Sequence, residues 1–163
     1  MEKTSYPVTP AIRALREKKV VFEPHLYDYK ERGGTAHSAA ELGVPEHMVI
    51  KTLVMETESR DPIIVLMHGD REVSTKELAR TIGVKTVAPC DALTAQKHTG
   101  YMLGGTSPFG TRKSMPVYAE KTIFDLPKIF INGGKRGFLV SIAASDLKVA
   151  LHIKEVAAAI SSR

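Results

Sequence analysis

Two apolar runs across a short polar turn constrain this chain most: Met48-Val49-Ile50-Lys51-Thr52-Leu53-Val54-Met55 and Ile63-Ile64-Val65-Leu66-Met67, with Asp61-Pro62 between them. Runs this short and rich in β-branched residues suit buried strands, and the connection between them predicts a hairpin. Three more segments read as strands: Val117-Tyr118-Ala119, Lys128 to Ile131 and Phe138 to Ile142. The last two are joined by Asn132-Gly133-Gly134-Lys135-Arg136-Gly137, which reads as a turn. An earlier run, Val20 to Tyr27, is also strand-like, and Pro24 places it near an edge or a bulge.

Helix signals fall between these runs. Thr9-Pro10 is a cap followed by a first-turn proline, predicting a helix from about Thr9 to Lys18. After a Gly33-Gly34 loop, Ser38 to Leu42 read as a short helix closed by Gly43. Ser74-Thr75-Lys76-Glu77 is a capping-box pattern that opens a helix closed by Gly83, and Asp91 caps another through Lys97. The chain returns to helix from about Ser145 onwards. Strands interleaved with short helices predict a mixed α/β (α+β) domain: a largely antiparallel β-barrel or sheet flanked by short helices. With no repeat, linker or low-complexity segment, one domain is expected over residues 1–163.

The 163 residues are enough for one core, and 43% hydrophobic with 25% charged residues is the composition of a globular protein. A formal charge of +5 favours polyanionic partners. Trp is absent and Tyr and Phe total ten, so nucleic acid would be bound through charge and shape rather than a broad stacking platform. The single Cys90 excludes an internal disulfide and suits a reducing compartment. No signal-peptide pattern or long apolar run is present, which predicts a cytoplasmic protein that does not engage a membrane.

Familiar catalytic patterns are missing. The Gly104-Gly105-Thr106-Ser107-Pro108-Phe109-Gly110 stretch is not followed by the Gly-Lys-Ser/Thr of a P-loop, and the Gly133 loop lacks a dinucleotide fingerprint. The six histidines never pair at a metal-ligand spacing, so no metal and no cofactor is expected. Neither Ser107 nor Cys90 stands in a nucleophile signature. An enzyme built on this sequence would run a reaction needing no protein nucleophile.

Five fragments carry a resemblance when taken together: Thr9-Pro10-Ala11, Lys51-Thr52-Leu53, Ser74 to Ala79, Thr99 to Pro108 with its Gly-Gly-Thr-Ser-Pro, and Gly133-Gly134-Lys135-Arg136-Gly137. In this order, from about Pro7 to Glu155, the chain resembles the YbaK/EbsC family of Cys-tRNA(Pro) deacylases, related to the editing domain of bacterial prolyl-tRNA synthetases. The resemblance implies a pocket for the 3' aminoacyl-adenosine of tRNA(Pro). It also implies cofactor-free release of cysteine from Cys-tRNA(Pro), with Cys-tRNA(Cys) as a second substrate, and prolyl-tRNA synthetase as working partner. By position, Lys51 matches the family's functional lysine, Tyr27 its strand tyrosine and Gly104 the first glycine of its loop. Leu139 stands where many members are acidic or polar, Asn132 replaces a frequent serine, and an aromatic near Gly34 is absent. These departures bear on substrate choice, leaving another amino acid such as alanine, or a non-catalytic tRNA-end or synthetase-binding module, as alternatives.

Physical reasons accompany the matches. Gly104 and Gly105 can bring backbone N-H groups close to a carbonyl or phosphate oxygen, with Thr106, Ser107 and Pro108 completing a stiffened loop that presents them; a plain tight turn would have the same composition. Lys51 shares a face with Val49 and Leu53, where a cation needs an anionic partner or a solvated strand edge. Tyr27 can stack on adenine, bind ribose or fill the core. The basic residues Lys97, Arg112, Lys113, Lys135 and Arg136, together with the Gly133-Gly134 turn, can track a phosphate backbone or stand as solvated charges.

Overall fold

The computed structural model describes residues 5–161. Helix α1 (Pro10–Glu17) starts where Thr9 accepts the Ile12 N-H at 3.1 Å, and it buries Ala11, Ile12 and Leu15. Of the strand expected over Val20 to Tyr27, only β1 (Glu23–Leu26) enters a ladder. Val20 and Phe22 instead pack into the core from a connecting segment that turns at Lys19, whose φ is +59°. Helix α2 (Gly34–Leu42) begins four residues before the predicted Ser38 and ends at Gly43 in the left-handed conformation.

The predicted hairpin is formed by β2 (Val49–Thr57) and β3 (Pro62–His68), antiparallel with Lys51 opposite Met67. The three-residue strand β4 (Arg71–Val73) leads into α3 (Thr75–Ile82), capped by Ser74, which accepts the Glu77 N-H at 3.2 Å. Then come β5 (Val87–Pro89) and α4 (Ala92–Thr99), the latter capped by Asp91 through the Thr94 N-H. Strand β6 (Val117–Glu120) follows the glycine-rich loop.

Strand β7 (Lys128–Lys135) runs through most of the segment expected to be a turn, so the reversal into β8 (Phe138–Ala143) is made by Arg136 and Gly137 alone. The surplus residues form a bulge between Asn132 and Lys135, fixed by Asn132 Oδ1 accepting the N-H groups of Gly134 and Lys135 at 2.6 and 3.1 Å. The predicted C-terminal helix shrinks to α5 (Leu147–Ala150), and the chain then forms β9 (Ile153–Val156) and β10 (Ala159–Ser161). Ile153 and Val156 are better used in a parallel ladder with β6 than on a helix face.

The main sheet has the order β1-β8-β7-β2-β3-β6-β9, with β5 added to β2; β10 pairs with β4 separately. It is mixed: β2 with β7, β3 with β6 and β6 with β9 are parallel, and the other pairings are antiparallel. One face carries the main core, in which Ile50, Ile64, Leu66, Ile131 and Val140 pack with Ile12 and Leu15 of α1. The other face carries two smaller clusters. Ala39, Val49, Phe130 and Leu139 pack under α2, whereas Met55, Ile63, Val65 and Leu78 pack under α3.

The edge of β2 away from β3 is shared between two neighbours. Strand β7 pairs with Val49 and Ile50, and β5 pairs with Met55 to Thr57. Between them the sheet opens, and Lys51 to Leu53 stand at the opening.

Candidate active site at the opening in the sheet

A cavity of about 520 Å³ occupies this opening. Its wall includes Val49 to Leu53 of β2, Tyr27 and Tyr29 beyond β1, the start of α2, and Leu103, Gly104 and Thr106 of the glycine-rich loop, with Asn132, Arg136 and Leu139 from β7, the turn and β8. The size suits a ligand such as an aminoacyl-nucleoside.

Lys51 extends on the face of Val49 and Leu53, both of which also line the cavity. Its side chain is 21% exposed, and Nζ lies 3.7 Å from Glu72 Oε2. Glu72 is largely exposed, so this ion pair is weak and leaves the ammonium electrostatically available to a ligand.

Tyr27 packs against the cluster of Val49, Phe130 and Leu139, and its ring meets that of His37 at 6.0 Å. Burial raises its phenol above the usual range, so it is a neutral hydrogen-bonding group at physiological pH. His37 Nε2 is 2.6 Å from the carbonyl oxygen of Asp28, which fixes the segment joining the two tyrosines to α2.

The glycine-rich loop is held from behind. Gly104 has φ +88°, and a Cβ there would fall on the Tyr29 hydroxyl, so both conformation and space require glycine. Asn132 Nδ2 donates to the Gly104 carbonyl at 3.3 Å, and Arg136 Nε donates to the Leu103 carbonyl at 2.8 Å. Arg136 also lies over the Tyr29 ring, with Cζ 5.1 Å from its centroid. Five of the residues singled out in the sequence therefore share the cavity wall: Tyr27, Lys51, Gly104, Thr106 and Arg136.

The other six lie outside the lining. A Cβ on Gly105 would stand 2.8 Å from the Arg136 amide nitrogen, so this glycine lets the loop dock on the β7-β8 turn. Ser107 is 0% exposed, its Oγ accepting the Phe109 N-H at 3.2 Å, and Pro108 is buried beside it. Gly133 packs against the Phe138 ring and Gly134, at φ +98°, against Tyr101 and Thr9; Lys135 is exposed. These residues form the layer that supports the loop.

Several cavity residues escaped the sequence reading. Tyr29 lies two positions after Tyr27 and Leu53 two after Lys51, so alternation offered a signal for each, whereas Thr52, between Lys51 and Leu53, falls on the opposite face of β2. Thr35, His37 and Ser38 come from the first turns of α2, where no pattern distinguished them. Thr35 Oγ1 donates to Glu46 Oε2 at 2.8 Å and so ties this helix to the segment before β2.

Cys90 lies outside the cavity lining, and burial together with the neighbouring Glu56 pushes its thiol up to about 11. It is protonated at neutral pH and a poor nucleophile. The fold does gather three histidine and acidic side chains that sequence spacing kept apart: ligand atoms of His47, His68 and Asp70 lie within 4.8 Å of one another. The two imidazoles are stacked at 3.7 Å and 6°, however, and parallel rings cannot both aim their in-plane lone pairs at one ion. His68 bonds the His47 carbonyl through Nδ1 and Thr122 through Nε2, while His47 Nδ1 meets Asp70 at 2.8 Å. As arranged, the group is a hydrogen-bonded stack.

The profile of the family described as "Aminoacyl-tRNA editing domain" matches residues 31–149, which span β2, the glycine-rich loop and the β7-β8 turn. The chain belongs to this family. It is 30% identical over 143 residues to EbsC of Enterococcus faecalis, named for Cys-tRNA(Pro)/Cys-tRNA(Cys) deacylase activity, with 87% of each chain covered. It is 32% identical over 108 residues to a proline--tRNA ligase of Thermodesulfovibrio yellowstonii, covering 66% of this chain and 17% of the ligase. Among solved structures, one assigned as a trans-editing enzyme for prolyl tRNA synthetase superposes with a TM-score of 0.80 at 17% identity, covering 95% of this chain and all (100%) of the other. The hypothetical protein APE2540 gives 0.85 at 18% identity, covering 93% of this chain and 100% of that one. The fold is therefore that of the editing domains, and among the described residues no helix is long and apolar enough to cross a membrane.

Proposed function

We propose that this protein is a trans-editing deacylase that releases cysteine from Cys-tRNA(Pro), with prolyl-tRNA synthetase as working partner. The observation that carries this reading is the placement of Lys51 in the wall of a largely apolar cavity whose rim is the Gly104 loop. Lys51 would hold the terminal phosphate or ester region of the tRNA 3' end, and the loop would present its backbone to the ester oxygen. The likeness to EbsC supports the choice of cysteine, and the likeness to proline--tRNA ligases supports the choice of tRNA.

The reaction draws its nucleophile from the substrate. The cysteine thiol, losing its proton, attacks the carbonyl carbon of its own ester; the C-S bond forms as the bond to the ribose oxygen breaks, and that oxygen takes up a proton. Water then opens the resulting thiolactone to free cysteine. Orienting a group within one molecule supplies roughly 7 to 11 kcal/mol, part of which offsets the strain of the four-membered ring. The unreactive Cys90 and the buried Ser107 fit a mechanism that does not use them.

A second reading, deacylation of Ala-tRNA(Pro), is favoured by one observation. Leu139 is buried against Val49 in the cavity wall, and an apolar wall accepts a methyl side chain. Incubating the protein with Cys-, Ala- and Ser-charged tRNA(Pro), and with Cys-tRNA(Pro) whose thiol is alkylated, separates the readings. Rapid release of cysteine with resistance of the alkylated and seryl substrates is expected. Equal cleavage of alkylated and free-thiol substrate would overturn the mechanism, and preference for alanine would move the assignment to the second reading.

A further inference from the structure

Met102 to Gly105 close a β-turn in the glycine-rich loop. The Gly105 N-H donates to the Met102 carbonyl at 2.8 Å, Gly104 in the third position has φ +88°, and Leu103 in the second keeps a negative φ. This is a type II turn, whose central Leu103-Gly104 peptide stands across the chain with its carbonyl on one side and its N-H on the other. A type I turn differs by a flip of that one peptide, and glycine in the third position admits both. Local conformation therefore leaves the orientation of this peptide open.

Contacts from β7 and the β7-β8 turn decide it. Arg136 Nε donates to the Leu103 carbonyl at 2.8 Å while its guanidinium lies over the Tyr29 ring, and Asn132 Nδ2 donates to the Gly104 carbonyl at 3.3 Å. The Arg136 bond is short and charge-assisted, which makes it the stronger of the two. Three successive carbonyls, those of Met102, Leu103 and Gly104, are thus engaged, whereas no acceptor among the described residues meets the N-H groups of Leu103 and Gly104. Both residues line the cavity, so the backbone they bring to it has donors to spare and its acceptors occupied. A flip would break the Arg136 bond and exchange the Gly104 N-H for a carbonyl, whose partial negative charge repels an ester oxygen.

We infer that Arg136 is a positioning residue: its bond to the Leu103 carbonyl locks the Leu103-Gly104 peptide in the orientation that lets the loop meet the ester oxygen with N-H groups. This rests on the deacylase reading above, and it assigns Arg136 to the loop rather than to the phosphate backbone of the tRNA.

The test compares the whole chain with Arg136→Lys and Arg136→Ala, at an exposed position where neither change disturbs the core. Lysine keeps the charge that a phosphate would feel, but it has no planar group to lie on Tyr29 and no donor at the ε position. Isotope-edited NMR reads the turn directly, because the Leu103 Hα lies close to the Gly104 N-H in type II, whereas the N-H groups of Leu103 and Gly104 approach each other after the flip. The wild-type protein should show the first cross-peak alone, and each variant should show both. Single-turnover release of cysteine from Cys-tRNA(Pro) should slow roughly tenfold in both variants, with the affinity for tRNA unchanged in Arg136→Lys. A wild-type rate in Arg136→Lys would overturn the inference in favour of a charge contact, as would an unflipped turn in both variants. A turn that flips in the variants of a protein that cleaves no aminoacyl-tRNA would support the lock and refute the deacylase assignment.

Discussion

Lys51 is a charge that the fold leaves nearly unused: its one ion pair is 3.7 Å long and made to an exposed glutamate. Replacing it with alanine therefore removes little that holds the protein together. Lys51→Ala should lower kcat/KM for deacylation roughly 100-fold or more, as loss of a comparable electrostatic contact does, with a melting temperature near wild type. Wild-type turnover would exclude Lys51 from the site. Gly104 carries two constraints at once, a positive φ and contact with Tyr29, so Gly104→Val should displace the loop and abolish single-turnover cleavage while the protein remains soluble. An unchanged rate would show that the loop plays no part. Lys51 and its face were legible from strand alternation alone, whereas the opening beside it was not. That opening lies where two distant strands stop pairing, and the partner of Ile50 in β7 is Ile131, far along the chain.

At the scale of elements, local signals worked where local chemistry decides. Thr9, Ser74 and Asp91 all cap helices as their sequence context predicts, because each bond joins residues three apart. Thr9→Ala removes both its cap and the buried hydrogen bond that its hydroxyl donates to the Gly133 carbonyl, so it should cost about 2 kcal/mol or more, measurable as a lower melting temperature. Elements that depend on tertiary pairing were harder to read. The glycines after Ile131 resemble a turn, yet Asn132 folds them into a bulge within β7; the C-terminal strands form because β6 offers an edge. The His47-His68 stack depends on the same long-range placement and carries a pH signature. Burial lowers the pKa of His68 from 6.5, and burial lowers that of His25 as well. The unfolded chain therefore binds more protons than the folded one as pH falls below about 6.5, so this stability is complete above that pH and is lost on acidification. The melting temperature should fall between pH 7 and 5, and less so in His68→Asn, which starts lower. An identical pH profile in the variant would show that His68 does not contribute.

The whole molecule places Lys51 in the cavity of a chain of charge +5, a modest balance for a protein that handles tRNA. Weak, salt-sensitive binding of tRNA is expected, and the proposed complex with the synthetase would supply the specificity. Lys135 is exposed on the β7-β8 turn next to Arg136, so Lys135→Ala should reduce the salt slope of tRNA binding by about one without changing the choice of amino acid. An unchanged slope would place the acceptor stem elsewhere. The mixed sheet was foreseeable from the alternation of short strands and helices, but the split edge of β2, which makes the cavity, emerges only from the complete strand order. The most direct measurement of the central claim is release of labelled cysteine from Cys-tRNA(Pro) under single-turnover conditions, with wild type and Lys51→Ala compared side by side. Rapid release by the wild-type protein and near-background release by the variant are predicted; equal rates in the two, or no release by either, would contradict the assignment of this cavity as a deacylase site.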